Sequence, residues 1–368
     1  MNKMIRRTCS VICVLSMLSG ITSCTPEKPD EKVISSIESE ASSTASKPAP
    51  KADISGSHIR MTLDNNFIVD AEYSGMPETE TGKIPCIPKQ WEDEAIIKVF
   101  FKRNTPEIRN NTSGGKLIFN DSQKFDLFSN EYASYFIYQL NDFDRYGKVF
   151  ADMENEEAAD VEELEFMSST DATELVKNSL EELGIESAVT DIKSFDTERL
   201  KSRAAEKDPF NKYKFMKEDE LYFISMMQVF DSIPVHKELE TEDGISAVVS
   251  SKGIEYLTGN KILQKTSGAE PQSTTCASAE KVLESFYSAS GIKDLGDAKI
   301  NVNKVEFMYW IDSTDDGSIE SVSPMWEIYF DLEADTTYSS SIGYDALNCR
   351  ANYIPNNLPD KYVDKRYS

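Results

Sequence analysis

The sequence predicts an α+β fold in which a helix followed by an antiparallel meander occurs twice, behind a disordered tether. Three observations carry that expectation. Residues 170–183 and 276–290 read as amphipathic helices, each stopped by a glycine followed by isoleucine: Gly184-Ile185 and Gly291-Ile292. Each helix is followed by apolar, β-branched and aromatic runs of strand length: 220–229, 245–250 and 253–257 after the first, and 302–311, 325–332 and 341–345 after the second. Runs of strands after helices, rather than strict strand–helix alternation, point to α+β instead of a parallel βαβ sheet.

The elements follow in chain order. Lys3, Arg6 and Arg7 form a basic stretch ahead of an apolar run at residues 11–18, which is far short of the roughly 20 residues that span a bilayer. Ile21-Thr22-Ser23-Cys24 then resembles the lipobox of bacterial lipoproteins. The resemblance implies a signal peptide of residues 1–23, cleavage before Cys24, and a diacylglyceryl group on the Cys24 thiol that holds the chain on the extracytoplasmic face of the cell membrane. A conventional secretory signal, with Cys24 left as a thiol or disulfide, is the alternative. Two acyl chains would make the attachment stable.

Residues 24–57 are rich in Ser, Pro, Glu, Lys and Ala and contain no aromatic residue, the composition of a disordered tether with a reach of roughly 30 Å. An N-terminal α+β domain is expected over 58–160. Within it residues 59–63 and 67–73 read as strands around Asp64-Asn65-Asn66. Trp91, Ala95, Ile96, Val99 and Phe100 form one stripe of a helix over 89–103, and 116–120, 124–128 and 133–140 are further strands. Residues 152–165 hold eight acidic residues in fourteen, read as a solvated boundary in preference to a cation-binding patch. The two helix-plus-meander units then occupy 161–262 and 263–368. Gly184 and Gly291 suit helix stops because glycine adopts the left-handed conformation that closes a last turn.

These two units resemble PepSY-type (cystatin-like) repeats, and their tandem order resembles extracytoplasmic regulators of the YycH/YycI type. The matching residues are Ser278-Ala279-Glu280-Lys281-Val282-Leu283, Gly291-Ile292, Val305-Glu306-Phe307-Met308-Tyr309-Trp310, and Ser323-Pro324-Met325-Trp326-Glu327-Ile328. Tyr344-Asp345-Ala346-Leu347-Asn348 closes the second unit, with Cys349 where the family pattern has glycine. Phe230-Asp231-Ser232-Ile233-Pro234-Val235 in the first unit resembles a family strand-and-turn element, with Ser232 in place of glycine. The whole also resembles uncharacterised lipoproteins of Gram-positive gut bacteria. The resemblance implies a regulatory or binding role at the envelope, through contact with a protein partner.

Composition narrows the chemistry. The 368 residues carry 39 Lys+Arg against 64 Asp+Glu, a formal charge of −25, which argues against nucleic acid and against anionic membrane surfaces as partners. Loss of residues 1–23 would remove three cations and no anion, and a body so acidic is expected to stand away from the bilayer. With Cys24 taken by lipid, only Cys86, Cys276 and Cys349 remain beyond the signal region, enough for one disulfide, and no CxxC or Cys/His spacing suits zinc. Asp312, Thr314, Asp316 and Gly317 imitate the start of an EF-hand loop, but Ser323 stands where the closing glutamate belongs, so Asp316-Gly317 reads as a hairpin turn. No metal site and no cofactor are expected.

The only histidines are His58 and His236, the latter near Glu238 and Glu240, and no GxSxG, P-loop or GxGxxG motif accompanies them. No catalytic residue is assigned and the chain is not expected to be an enzyme. Tyr132, Tyr135, Phe136 and Tyr138, and Tyr309, Trp310, Trp326 and Tyr329, read as sheet packing. Their outward members are the candidates for a glycan or peptide surface. The expected function is therefore a lipid-anchored extracytoplasmic binding or regulatory protein. A solute- or glycan-binding lipoprotein with an aromatic cleft, or a hydrolase with two buried carboxylates facing each other, are the alternatives.

Overall fold

The computed structural model describes residues 52–351, apart from 76–80, 103–104, 112–113, 151–152, 154–160, 211, 237–243, 269–271, 274 and 290–296. The signal peptide, Cys24, most of the tether, Gly291-Ile292 and much of the acidic run lie outside the described residues.

The chain begins with β1 (Asp53–Ser55), β2 (His58–Asp64), β3 (Phe67–Ser74), β4 (Gly82–Pro88) and helix α1 (Asp93–Phe100). β5 (Glu107–Asn110), β6 (Gly115–Phe119), β7 (Gln123–Ser129) and β8 (Ser134–Leu140) lead through a 3-10 stretch, Phe143–Val149, to α2 (Ser169–Glu182). β9 (Ser187–Phe195) and α3 (Thr197–Lys207) precede β10 (Leu221–Phe230), β11 (Ile233–Pro234), β12 (Ile245–Ser250) and β13 (Gly253–Asn260). Last come β14 (Leu263–Lys265), β15 (Gln272–Ser273), α4 (Ala279–Ala289), β16 (Lys299–Ser313), β17 (Ile319–Glu333) and β18 (Thr337–Asp345).

The tandem helix-plus-meander expectation is overturned. Among the described residues the strands form two nine-stranded sheets, and the fold is mostly β. Sheet A runs β1-β2-β3-β16-β17-β4-β14, with β15 on β4 and β18 on β17. Sheet B runs β11-β10-β12-β13-β8-β7-β6-β5, with β9 on β10. The first presumed meander continues through the β13–β8 pair into β7, β6 and β5, and the second is joined by β3, which pairs parallel to β16. Period-two patterning marks a strand and its buried face but does not name its partner. The PepSY-like architecture fails on that point.

Within elements the sequence logic holds. Ser168 caps α2 by accepting the Asp171 N–H, and Gly184, at φ 72°, ends it with Ile185 N–H bonding back to the Leu180 carbonyl. β10 is a nearly continuous buried run because both faces of sheet B are covered. Tyr222, Ile224 and Met226 pack beneath α1 and α2 with Ile96, Val176 and Leu180, whereas Leu221 and Phe223 face α3 and the 3-10 stretch with Leu200, Phe143 and Tyr146. On sheet A, Val282, Leu283 and Phe286 of α4 cover Val305, Phe307, Trp326 and Ile328.

Sheet A is assembled from both flanks of sheet B, since β1–β4 precede it and β14–β18 follow it. The tip of the β10–β11 hairpin reaches back from sheet B, placing Phe230, Ile233 and Val235 in the core of sheet A. Val235 forms a parallel bridge to Tyr309, beyond the point on β16 where β3 stops pairing.

Candidate functional site

The joint between the sheets is where the sequence placed one of its two histidines. The hairpin turn is Asp231-Ser232, with φ of 52° and 68°, a primed two-residue turn between paired Phe230 and Ile233. Asp231 is fixed by Lys265 at 2.7 Å. Beyond Pro234 the chain runs along β16, and the His236 N–H donates to the Tyr309 carbonyl at 2.6 Å. The imidazole is thereby buried at 8% exposure, its Nδ1 lies 3.0 Å from Oε2 of fully buried Glu327, and its ring stacks on Trp310 at 5.1 Å. Glu327 faces Glu306 across the β16–β17 ladder, and Glu306 is paired with Lys304 at 2.7 Å.

A pocket of about 20 Å³ adjoins the imidazole, lined among others by Gln228, Asn260, Lys261 and Ile311. Space of that size holds a water molecule or so, well below what a sugar ring needs. Gln228 is already committed, donating to the Leu263 carbonyl at 2.8 Å and accepting its N–H at 3.0 Å.

A second buried polar cluster sits on the outer face of sheet B. Arg145 Nε donates to Asp219 Oδ1 at 2.9 Å and its Nη2 to Glu255 Oε1 at 2.6 Å. Tyr146 donates its hydroxyl to the Asp219 carbonyl at 2.9 Å, Tyr213 donates to Asp219 Oδ1 at 3.0 Å, and Ser250 donates to Glu255. Asp219 is 2% exposed and Glu255 fully buried. Burial works against the Arg145 charge, but Glu255 and Asp219 outweigh it and hold the guanidinium protonated; burial also pushes the Tyr146 phenol well up. Two buried carboxylates meet here, as a carboxylate hydrolase requires. A guanidinium stands between them and is bonded to both.

The remaining sequence candidates are dispersed. His58 is a surface residue bonded to Asp70, whose carboxyl is lowered first by that bond and then by Arg60. Glu238 and Glu240 lie outside the described residues. Asp312 accepts from Ser321 and Ser323 and pairs with Lys83, while Gly317, at φ 87°, closes the β16–β17 hairpin. Cys86, Cys276 and Cys349 are unpaired thiols, and burial pushes Cys86 up to about 12. Phe136, Tyr138, Tyr309 and Trp326 are buried, Tyr135 stacks on Phe128, and Trp310 lies against His236. Glu163, from the acidic run, accepts the Ser169 N–H at the start of α2. The sequence reading missed Arg145, Asp219, Glu255 and Glu327. The signal available for them was a charged residue inside a strand pattern, as at Glu255 and Glu327.

No family model matches the chain, and no curated protein matches it. Among solved structures it is similar to an uncharacterized protein from Eubacterium rectale ATCC 33656, with a TM-score of 0.57 and 16% identity over 82% of this chain and 94% of that one. At that identity the likeness speaks to fold. Among the described residues no helix is long and apolar enough to cross a membrane, and no group of His, Cys, Asp and Glu is arranged to hold a metal ion.

Proposed function

We propose that the chain is a lipid-anchored protein of the extracytoplasmic membrane face that acts by binding, in a regulatory contact with an envelope partner, and not by catalysing a reaction. The observation that carries the anchor is the order of Lys3, Arg6 and Arg7, the apolar run at 11–18, and Ile21-Thr22-Ser23-Cys24. Diacylglycerylation of the Cys24 thiol would supply two acyl chains, enough for stable attachment.

The binding half is supported by the way the buried ionisable groups are used. Arg145 is ion-paired to both Asp219 and Glu255, and His236 and Glu327 are buried beside a small pocket. Cells grown with labelled palmitate test the anchor: the label is expected on the wild-type protein and absent from Cys24→Ala, and globomycin should block processing. Equal labelling of the two proteins would refute it. For the partner, in-cell crosslinking followed by affinity capture should return the same envelope protein in replicate, and a capture no different from an untagged control counts against the regulatory role.

A further inference from the structure

Three of the nine large apolar side chains that stand exposed among the described residues fall within seven positions: Phe210 at 89%, Tyr213 at 37% and Met216 at 56%. They occupy the connection from α3 to β10. Residues 209–217 contain three lysines and no acidic residue, in a chain where acids outnumber bases 64 to 39. Lys217 is paired with Glu165, while Lys212 and Lys214 are exposed beside the apolar side chains.

The protrusion is held from below. Phe215 is buried against Tyr146, with ring centroids 5.9 Å apart; Tyr213 bonds to Asp219, and the Met216 N–H donates to Asp219 Oδ2 at 3.0 Å. Asp219 is itself locked to Arg145. The exposed apolar tips therefore project from a buried, ion-paired base and cannot fold inward without dismantling it.

We infer that this connection is a second membrane contact, in which Phe210 and Met216 enter the headgroup–acyl boundary of an anionic bilayer while Lys212 and Lys214 lie against its phosphates. Aromatic and methionine tips flanked by lysines match such an interface in both apolarity and charge. A specific protein interface needs about 800 Å² from each partner, spread over some 20–30 residues. Three side chains on a projecting connection fall well short of that, whereas a bilayer demands no complementary surface. The acidity of the whole chain repels it from anionic lipid, so contact through Lys212 and Lys214, between Asp208 and Glu218, would fix how the body faces the membrane. The inference goes beyond the Cys24 anchor and does not depend on it, because the contact is read in the loop itself.

The test uses the full chain carrying Phe210→Trp, bound to vesicles of phosphatidylglycerol and phosphatidylcholine with brominated acyl chains. The added indole should be quenched in anionic vesicles, while the wild-type chain, whose tryptophans are Trp91, Trp310 and Trp326, should show little change. Lys212→Gln with Lys214→Gln should weaken the loop–bilayer equilibrium roughly 30-fold and abolish the quenching, as should high salt. Far-UV circular dichroism confirms that the variants fold. Palmitate labelling reports the Cys24 anchor separately, so failure of one reading is distinguishable from failure of the other. No quenching of the vesicle-bound Phe210→Trp chain overturns the inference, and so does quenching that is equal in pure phosphatidylcholine. Crosslinking from position 210 to a protein without lipid quenching would assign the loop to a protein partner instead.

Discussion

Arg145 carries a burden out of proportion to its single charge. Its side chain is 6% exposed and reaches Asp219 and Glu255, 74 and 110 residues away in sequence, so it ties the 3-10 stretch, the turn before β10 and the start of β13 into one cluster. Removing one member of a buried ionic group leaves its counter-charge uncompensated, at a cost of about 3–5 kcal/mol; here Asp219 would keep Tyr213 and the Met216 N–H, and Glu255 would keep Ser250. Arg145→Met is therefore expected to lower the unfolding free energy by that order, and Arg145→Met combined with Glu255→Gln to recover part of the loss. Urea titration followed by circular dichroism checks both; a single variant within 1 kcal/mol of wild type would show that solvent reaches the cluster. No spacing in the sequence forecasts this group, because its members meet only after β8, β10 and β13 are aligned. His236 was legible as a candidate because histidine is rare in this chain, but its partner Glu327 was one carboxylate among 64 acidic residues.

At the scale of elements the sequence is more informative. The amphipathic stripe over 89–103 becomes α1, and the helices expected at 170–183 and 276–290 appear as α2 and α4. α3 was not foreseen, since most of Thr197–Lys207 is polar and charged and only Leu200 and Arg203 are buried. β4 was also hidden, its Pro85 and Pro88 masking a strand that nonetheless pairs with β17, β14 and β15. β16 and β17 extend to 15 residues each, with consecutive buried residues at Phe307-Met308-Tyr309 and at Met325-Trp326-Glu327-Ile328. The β10–β11 turn shows what element-level reading can forecast. Ser232 stands where the resembling pattern has glycine, and it is held at φ 68°. A non-glycine residue in that region costs about 1–2 kcal/mol, so Ser232→Gly is expected to raise stability by about 1 kcal/mol, offset in part by the freer unfolded chain. A thermal melt checks it, and an unchanged or lower midpoint would mean that the Ser232 side chain contributes something the backbone conformation does not reveal.

For the whole molecule the decisive feature is connectivity, which period-two patterns do not encode. Sheet B is built from one continuous stretch, residues 107–260, apart from helices and connections, while sheet A joins strands before residue 89 to strands after residue 262. Sheet A must therefore wait for both flanks, and the β10–β11 tip is where the inner sheet contributes side chains to the outer one's core. Val235 and His236 hold that tip on β16, so the stability of sheet A should depend on sheet B through them. A reporter is already present: Trp310 and Trp326 lie on sheet A strands, while Trp91 packs on Phe125 and Phe136 of sheet B. In a Trp91→Phe chain, tryptophan emission follows sheet A and far-UV circular dichroism follows both sheets. With the joint intact the two urea transitions should coincide, as cooperative unfolding requires. With His236→Ala, which leaves buried Glu327 without the imidazole and Trp310 without its stacking partner, the emission transition should move to lower urea than the circular dichroism. A buried polar group stripped of a partner costs about 1–3 kcal/mol, and a loss of that size confined to sheet A would separate the curves. Curves that shift together would show that other contacts between the sheets dominate. Curves that do not shift at all would mean that the joint carries neither stability nor communication between them.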